Sequence, residues 1–390
     1  MNYILFDGSE RDQLLPITFT RPVADIRTGI LTIKEKWEKY LVTPVSFKTE
    51  EYLSAKYPTI VSDDCILING SVFPTGELVF QINKLLHGQI LKKGELEIAI
   101  RSDSNSGDIS NKANYQIIET NIEFLKLENT WDIFSLNPQA ILDDFELITK
   151  NRISCKVSNT NFIIGDSSLI FIEEGAKVEF AFLNTTDGPI YIGKDAEVME
   201  GSKIRGPFAL CEHSTVKMDA KIYSGTTIGP HSKIGGEVNN SVILGYSNKG
   251  HDGFLGNSVI GEWCNLGADT NISNLKNTYD FVRLWSYHQN TFTSTGLQFC
   301  GLIMGDHSKC GINTMFNTGT VVGVSSNIYG AGYQRNFIPS FMWGGVAGLK
   351  TYNFKKSVEV AKAVFKRRNL IFDEIEENIF AHLFGITHNE

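Results

Sequence analysis

The sequence predicts a left-handed parallel β-helix of hexapeptide repeats, preceded by an α/β domain and followed by a C-terminal helix. Three observations support this prediction. An aliphatic residue recurs at every sixth position through the middle of the chain, short apolar runs alternate with helical patterns before it, and a long helical pattern follows it. A unit of six residues is one short strand and one turn, so three units close a triangular coil whose aliphatic side chains point inward.

The six-residue period continues without a break over one long stretch and returns twice further along. Ordinary strands and helices have periods of 2 and 3.6, so neither keeps phase at six. Gly193, Gly229 and Gly235 directly follow three of the aliphatic residues, where they suit the corners of the coils. The periodic positions are Ile192, Val198, Ile204, Leu210, Val216, Ile222, Ile228 and Ile234, then Ile260, Leu266 and Ile272, and finally Met304, Cys310, Phe316, Val322 and Ile328.

Two interruptions of the period predict segments that leave the β-helix. The first is a loop over 245–254, and the second is an insertion over 275–299 that is rich in Tyr, Trp, Thr and Asn. A weaker stretch from Asn161 to Val178 is interpreted as the first coil. Loops on a rigid scaffold carry a large share of binding and catalytic residues. Functional residues are therefore expected in the two interruptions.

Residues 1–130 have a different pattern, in which short apolar runs alternate with helical patterns such as Gly29 to Tyr40. This pattern predicts an α/β domain. Residues 131–155 are predicted to be a helical connector, because apolar residues recur at helical spacing from Trp131 onward. The β-helix is assigned to 156–335. The strand candidates of the first domain are Tyr3 to Phe6, Thr59 to Val61, Cys65 to Ile68 and Leu96 to Ile100.

Residues 336–390 are predicted to form a turn region and a capping helix. Glycine and aromatic residues dominate Pro339 to Gly348, and one continuous helical pattern follows from Ser357 to Phe384. A stack of repeats needs its open end covered. The helix is therefore expected to close the C-terminal end of the β-helix.

Composition and charge exclude several classes of protein. The 390 residues are 42% hydrophobic and 21% charged, enough for sizeable cores, and the formal net charge of −8 gives no basic footprint for nucleic acid. Asp7 interrupts the first apolar run and no later run is long enough to cross a bilayer, so we expect a soluble, cytoplasmic protein without a membrane partner. The cysteines show no CxxC pair and the histidines no HxxxH or HExxH spacing, so no metal site is predicted.

The strongest functional pattern lies between Gly245 and Asn274. His251 stands there in a glycine-flanked loop, and the motif H-x-x-[YF]-x-G-[DN] is followed by N-[IL]-G-A at 265–268 and by Asn274. A histidine in such a loop is by default a solvated surface residue. The spacing of the whole run, however, resembles the hexapeptide-repeat acetyltransferase domain of the bifunctional N-acetylglucosamine-1-phosphate uridyltransferase and glucosamine-1-phosphate acetyltransferase family.

The resemblance implies that His251 is the general base, that Glu237 orients it, and that Asn265 helps to hold the sugar. It also implies that Asn274 and Ala268 contact acetyl-CoA as the cosubstrate. An amine that attacks a thioester must lose a proton, and imidazole, which titrates near neutral pH, suits that transfer. A carboxylate would fix the imidazole tautomer, and an amide would stabilise a developing oxyanion. The alternative for Glu237 is a solvated turn residue.

This chain departs from the family's pattern at substrate positions. Phe254 stands where the family usually has a tyrosine, and Asn239 stands where a lysine that binds the sugar phosphate is expected. Lys249 or Lys221 could supply the missing charge, and each is otherwise an ordinary surface lysine. Phe254, Asn239 and Lys249 are the predicted substrate-binding residues. The insertion over 275–299 has no counterpart in the family, so it either reshapes the pocket or covers one face of the β-helix.

A weaker pattern lies near the N-terminus. Arg11, the run Leu14–Thr18 and the pair Arg21–Pro22 resemble the R-L-x-P-L-T…P-K signature of sugar-1-phosphate nucleotidyltransferases, in which a glycine-rich loop holds the phosphates. Only Gly8 is left of that loop, and Ile68–Ser71 lacks the metal-binding aspartate. The resemblance implies a degenerate domain in which Gly8, Arg11 and Arg21 bind a nucleotide, with Mg²⁺ needed only if the domain is active. The alternative for the arginines, Arg27 included, is ion pairing with Asp7, Asp12 and Asp25.

Three functions remain open. The leading one is acyl-CoA-dependent N-acetylation of an amino-sugar phosphate or nucleotide sugar, by a transferase of sugar-nucleotide metabolism. The second is nucleotidyl transfer onto a sugar 1-phosphate by residues 1–130, and the third is a non-catalytic protein that binds a sugar nucleotide. The resemblance further implies small-molecule partners and a homotrimer whose acyl sites lie between adjacent β-helices.

Overall fold

The computed structural model describes residues 1–102 and 114–388. The chain forms two compact units, and the N-terminal region contributes to both of them. The first unit consists of Met1–Leu14, Thr20–Ile26 and Leu31–Asn129, and the second consists of Leu15–Phe19, Arg27–Ile30 and Thr130–Glu390.

The first unit contains a mixed six-stranded sheet with helices, as an α/β domain should. Its strands are β1 (Asn2–Phe6), β2 (Val45–Lys48), β3 (Cys65–Asn69), β4 (Gln89–Lys93), β5 (Leu96–Arg101) and β6 (Gln116–Glu119), and its helices are α1 (Ile33–Leu41) and α2 (Gly76–Asn83). The strand order is β2-β1-β3-β5-β4-β6. β1 is parallel to both of its neighbours, and β5 is antiparallel to both of its own.

The predicted helix over 29–40 corresponds to α1, which begins later because Thr32 caps it. The Thr32 hydroxyl accepts a hydrogen bond from the Glu35 backbone N–H at 3.1 Å, and the Glu35 carboxylate accepts one from the Thr32 N–H at 2.6 Å. The predicted strand at Thr59–Val61 is wrong. The edge strand is β2 instead, whose Val45, Ser46 and Phe47 are buried against β1, whereas Ile60 is 60% exposed.

The second unit is a parallel β-helix with three faces, which confirms the predicted fold class. Face 1 contains β7 (Phe162–Ile164), β10 (Phe182–Asn184), β13 (Lys203–Arg205), β16 (Lys221–Ile222), β19 (Glu237–Asn239) and β22 (Phe254–Gly256), followed by the pair β25 (Asn271–Ile272) and β30 (Met315–Phe316). Successive strands of a face pair in parallel.

The other two faces are continuous sheets. Face 2 contains β8 (Ile170–Ile172), β11 (Ile190–Ile192), β14 (Phe208–Leu210), β17 (Thr226–Ile228), β20 (Val242–Ile243), β23 (Val259–Ile260), β28 (Leu302–Met304), β31 (Thr320–Val322) and β33 (Phe337–Ile338). Face 3 contains β9 (Lys177–Val178), β12 (Glu197–Val198), β15 (Thr215–Val216), β18 (Lys233–Ile234), β21 (Asn248–Lys249), β24 (Asn265–Leu266), β29 (Lys309–Cys310), β32 (Asn327–Ile328), β34 (Met342–Gly345) and β35 (Gly348–Thr351).

Every periodic position predicted from the sequence belongs to the buried core of the β-helix. The prediction that 245–254 leaves the β-helix is wrong, because β21 pairs there with β18 and β24. Shortened turns shift the phase instead: Val238 follows Ile234 after four residues, and the inward positions continue through Ile243, Lys249 and Leu255. The glycine corners are as expected, since a Cβ at Gly229 would lie 1.9 Å from the Leu244 carbonyl oxygen of the next coil.

The insertion forms an antiparallel hairpin, β26 (Arg283–Ser286) and β27 (Thr291–Ser294). The Trp285 ring stacks on Phe337 of face 2, with 4.3 Å between ring centroids. The Tyr287 ring meets the edges of Phe337 and of Phe19, at 5.5 Å and 5.2 Å. The insertion therefore covers the outer side of face 2, which was one of its two predicted roles.

Two helices follow residue 130 and bind an N-terminal segment to face 2. They are α3 (Asp132–Ser135) and α4 (Asn137–Thr149). The Gly29 N–H donates to the Asn137 side-chain oxygen at 2.6 Å, and the Ile30 N–H donates to the Asp144 carboxylate at 2.7 Å. The Thr227 hydroxyl, on β17, donates to the Gly29 carbonyl at 3.0 Å. The segment 27–30 is thus part of the packing of the β-helix.

The C-terminal region contains two helices, α5 (Phe354–Lys366) and α6 (Glu374–His388), so the prediction of one continuous helix is wrong. Asn369 adopts a left-handed conformation with φ 57° in the break between them, which an α-helix does not allow. Phe365 stacks on Trp263 at a corner of the β-helix, with 4.0 Å between centroids. None of the helices in 1–102 and 114–388 has the length and apolar character that crossing a bilayer requires.

Candidate functional site

The predicted catalytic histidine lies at a corner between face 3 and face 1. His251 is exposed in the turn that joins β21 to β22. Ala268 lies at the same corner one coil later, and the two corners are in register because the Asp269 N–H donates to the Asp252 carbonyl at 3.1 Å. The structure thus brings one predicted cofactor-binding residue next to the predicted base along the axis of the β-helix.

Glu237 and Phe254 are neighbours on the outer side of face 1. They are paired in register between β19 and β22, and the residues that follow them, Val238 and Leu255, point into the core. The Phe254 ring lies over Gly256, where an added Cβ would come within 2.6 Å of the ring. Within the described residues, no hydrogen bond or ion pair joins the Glu237 carboxylate to the His251 imidazole. The orienting contact therefore remains a prediction.

Three asparagines lie at the opposite edge of face 1. The Asn274 amide donates to the Asn257 side-chain oxygen at 2.8 Å, and the Asn257 N–H donates to the Asn239 carbonyl at 3.0 Å. The Asn274 carbonyl in turn accepts from the Cys300 N–H at 2.9 Å, where the insertion returns to the β-helix. Asn239 and Asn274 are therefore separated from the His251 corner by the width of face 1.

Asn265 lies on face 3 rather than face 1. Its side chain is exposed on β24, in register with Asn248 of the coil before and Lys309 of the coil after. It belongs to the same coil as Ala268, three residues before it. The predicted acyl-transfer residues thus lie on neighbouring coils but in four locations: the His251 corner, the outer side of face 1, the opposite edge of face 1 and face 3.

Lys249 is not at the surface. It replaces an aliphatic residue in the inward row of face 3, next to Ile234, and only 3% of it is exposed. Its ammonium group donates to the carbonyls of Gly235 at 3.1 Å, His251 at 2.8 Å and Asp252 at 3.2 Å. The predicted substrate-binding lysine therefore holds the backbone of the His251 turn from inside the β-helix.

The environment of Lys249 disfavours its charge. Burial lowers the pKa of Lys249 to about 8, although the nearby Asp252 and Asp269 carboxylates act in the opposite direction. A buried ammonium is stable only where carbonyl or carboxylate oxygens replace its water shell. Here the three turn carbonyls do so, which couples the charge of this lysine to the geometry of the turn.

Two of the candidate nucleotide-binding residues of the first unit, Gly8 and Arg11, follow the carboxyl end of β1. Gly8 follows β1, and a Cβ added there would lie 2.3 Å from the Glu10 carboxylate and 2.9 Å from the Asn69 amide. Glu10 is 5% exposed and forms an ion pair with Lys126 at 2.7 Å. A buried carboxylate thus fills the space beside Gly8, and a carboxylate repels phosphate.

Arg11 contacts other side chains of the first unit. Its guanidinium lies 3.5 Å from Asp7 and 3.7 Å from Asp12, and it donates to the Tyr52 hydroxyl at 2.8 Å. Burial raises the pKa of Asp7 to about 6, against hydrogen bonds from Thr49 and Val23 and the charge of Arg11. The ion-pair alternative thus describes Arg11 in this structure. Arg21 is also buried, at 3% exposure.

Sequence reasoning missed the inward direction of Lys249 and the buried carboxylate of Glu10. The signal for Lys249 was present, because it follows Ile243 by six residues and so keeps the inward phase. No comparable signal marked Glu10.

Within 1–102 and 114–388, no group of three or more His, Cys, Asp or Glu side chains is placed to hold a metal ion.

Comparisons with known proteins cover both units. The sequence model of a family described as sugar nucleotidyl transferase matches residues 3–153. A bifunctional sugar-1-phosphate nucleotidylyltransferase/acetyltransferase of Sulfurisphaera tokodaii is 26% identical over 266 residues, which are 67% of this chain and 57% of that protein. The bifunctional protein GlmU of Methanocaldococcus jannaschii is 26% identical over 317 residues, which are 80% of this chain and 62% of that protein.

A solved structure, the UDP-N-acetylglucosamine acyltransferase from Campylobacter jejuni, is 17% identical with a TM-score of 0.25, over 60% of this chain and 85% of that chain. That likeness is too distant to bear on function. The chain spans about three fifths of the length of the two relatives described above. Over most of its sequence, the chain is similar to the bifunctional sugar-1-phosphate nucleotidylyltransferase/acetyltransferases, and residues 3–153 match the sugar nucleotidyl transferase family.

Proposed function

We propose that this chain is a cytoplasmic transferase that N-acetylates an amino-sugar phosphate or a nucleotide-linked amino sugar, with acetyl-CoA as the acyl donor. One observation carries the proposal. His251 lies on an exposed corner whose backbone Lys249 holds from inside, and Ala268 and Glu237 lie on the adjoining strands and corner. The similarity to bifunctional acetyltransferases over most of the chain supports the same assignment.

The proposed chemistry assigns one role to each group. The amine nitrogen of the acceptor attacks the thioester carbonyl of acetyl-CoA, and the His251 imidazole takes the proton that the amine loses. The carbon–sulfur bond then breaks, and the coenzyme A thiolate leaves and takes up a proton. Glu237 stabilises the imidazolium that forms, and the Asn265 amide holds an oxygen of the sugar or the developing oxyanion.

A thiol-release assay tests the proposal. The full chain is incubated with acetyl-CoA and a panel of amino sugars, their 1-phosphates and their nucleotide derivatives, and free coenzyme A is measured. We expect acceptor-dependent release with at least one phosphorylated or nucleotide-linked amino sugar. Stabilisation by such a sugar on heating, without any thiol release across the panel, would instead favour a non-catalytic binding protein.

The proposed assembly is a homotrimer, because the resemblance places the acyl site between adjacent β-helices. Face 1 leaves large apolar side chains at the surface of its first two strands, including Phe162 at 61% and Phe182 at 39% exposure. We expect sedimentation equilibrium at micromolar concentration to give three times the chain mass of 43.5 kDa. A monomer mass would contradict both the assembly and the site between subunits.

Nucleotidyl transfer is the second candidate, because residues 3–153 match the sugar nucleotidyl transferase family. The buried Glu10 carboxylate beside Gly8 and the ion pairs of Arg11 argue against a bound triphosphate. We therefore expect little or no pyrophosphate release from any nucleoside triphosphate with a sugar 1-phosphate and Mg²⁺. Rapid release that is abolished in Arg11→Ala would reverse this expectation and make the first unit an active domain.

A further inference from the structure

The outer side of face 1 contains a cavity that the proposed mechanism does not use. Its volume is about 450 Å³, and it extends over β7, β10, β13 and β16. We call it the face-1 groove. Its outward lining residues are Ile164, Phe182, Asn184, Lys203, Arg205, Lys221 and Tyr223. It combines three cationic side chains with two aromatic side chains.

The cations of the face-1 groove are available to a ligand. Arg205 lies 3.4 Å from Asp187 and Lys203 lies 3.9 Å from Asp219, and all four side chains are about half exposed or more. Exposed pairs of this kind are weak, so an anion can compete for them. Lys221 has no ion pair within 1–102 and 114–388. The groove lining itself contributes no carboxylate.

The Tyr223 ring supplies a flat surface beside these cations, because 45% of Tyr223 is exposed. The Phe182 ring forms the far end of the groove, where it stacks on Phe162 with 4.9 Å between centroids. Exposed aromatic rings next to cationic side chains are the arrangement that proteins use to stack bases and neutralise phosphates of nucleotides. An anionic ligand without a planar group would leave the Tyr223 ring unused.

The groove leads directly to the proposed acyl site. Lys221 is paired in register with Glu237, so the two side chains occupy adjacent strands on the same side of face 1. Lys203 pairs with Lys221, and Phe182 pairs with Lys203, each one strand further away. Strands of a sheet are about 5 Å apart, so the groove begins about 5 Å from the Glu237 strand and continues for three strand spacings.

We propose that the face-1 groove binds the nucleoside diphosphate portion of a nucleotide-linked acceptor. Lys221, Arg205 and Lys203 bind the diphosphate, the base stacks on Tyr223, and the sugar extends toward Glu237 and His251. The sugar part of this inference rests on the proposed function. It decides between the two proposed acceptors in favour of the nucleotide-linked sugar.

Binding of ADP, CDP, GDP, UDP and dTDP to the full chain, measured by isothermal titration calorimetry without acetyl-CoA, tests the proposal. At least one nucleotide should bind more tightly than inorganic pyrophosphate, because pyrophosphate cannot stack. Tyr223→Ala should weaken nucleotide binding by about tenfold, the usual effect of losing one stacking ring, and should leave pyrophosphate binding unchanged. Arg205→Ala should weaken the binding of both nucleotide and pyrophosphate. Lys177→Ala, an exposed lysine on face 3, is the matched control.

The possible outcomes separate this inference from the proposed function. Nucleotide binding that is lost in Tyr223→Ala but retained in His251→Ala supports the groove even if no acceptor releases coenzyme A. Acetylation of a sugar 1-phosphate, with no nucleotide binding and an unchanged KM in Arg205→Ala, overturns the groove and leaves the acyl site intact. A Tyr223→Ala protein that binds nucleotide normally but loses its oligomeric state also overturns it, because the groove would then be a contact between subunits.

Discussion

Changing His251 to alanine is expected to lower the rate of acyl transfer by about 10²- to 10⁴-fold, the usual contribution of a positioned general base. The fold should not change, because the inward contact of this residue is made by its carbonyl and not by its imidazole: Lys249 donates to that carbonyl at 2.8 Å. His251→Gln should be as slow, since an amide can form a hydrogen bond but cannot accept the proton. Steady-state thiol release with saturating acetyl-CoA measures both effects.

His288→Ala is the matched control, because His288 is another exposed histidine and lies on the insertion. It should retain the activity of the parent protein. Circular dichroism and thermal unfolding should be the same for the parent and both variants. Full activity of His251→Ala on an acceptor that the parent protein uses would show that His251 is a solvated loop residue, and the catalytic assignment would fail.

Changing Lys249 to alanine is expected to lower the free energy of unfolding by about 2–4 kcal/mol, because a long buried stem is lost and three buried carbonyls lose their donor. Acyl transfer should fall as well, since the turn that carries His251 loses its anchor. Lys249→Met separates the two effects: it keeps the packing of the stem and removes only the ammonium group. Its loss of stability should be about 1–3 kcal/mol. Chemical denaturation of both variants measures the difference.

The pH dependence of this loss has a defined sign. Burial lowers the pKa of Lys249 to about 8 in the folded protein, below the ordinary value of 10.5 that applies to the unfolded chain. Between these values the unfolded state binds more protons, so the contribution of Lys249 to stability rises with pH. The parent protein should therefore gain up to about 3 kcal/mol relative to Lys249→Met between pH 8 and 10.5. A constant difference across this range would contradict a lowered pKa of Lys249 in the folded protein.

The repeat could be predicted from the sequence because the β-helix forces one inward residue per strand. Ile192 through Ile234 and Met304 through Ile328 keep that rhythm, and all the periodic positions are buried. The segment at 245–254 was misjudged because turns one or two residues shorter shift the phase without interrupting the coil. The break between α5 and α6 was missed for a different reason, since the residues around Asn369 preserve a helical apolar pattern across it.

The sequence predicted which positions belong to the candidate site, but it did not predict the directions of their side chains. Motif spacing places His251 and Ala268 at equivalent corners of consecutive coils, because these two coils have nearly the same number of residues. Spacing does not determine which way a side chain points when a turn is shortened, so Lys249 was expected at the surface and lies in the core. The face-1 groove arises from residues of four separate strands, and no local motif marks it.

The segment 27–30 has consequences for how this protein is made. It emerges from the ribosome early, yet its partners are Asn137, Asp144, Cys211 and Thr227, which are 108 to 198 residues further along the chain. During synthesis, the hydrogen bonds of this stretch cannot form until face 2 has been translated. N-terminal regions emerge first, and contacts between residues distant in sequence form late. A gene fragment cut near residue 130 would encode a protein with those backbone groups unsatisfied. We therefore expect residues 131–390 expressed alone to be less stable than the same residues in the full chain, because they lack the segment 27–30.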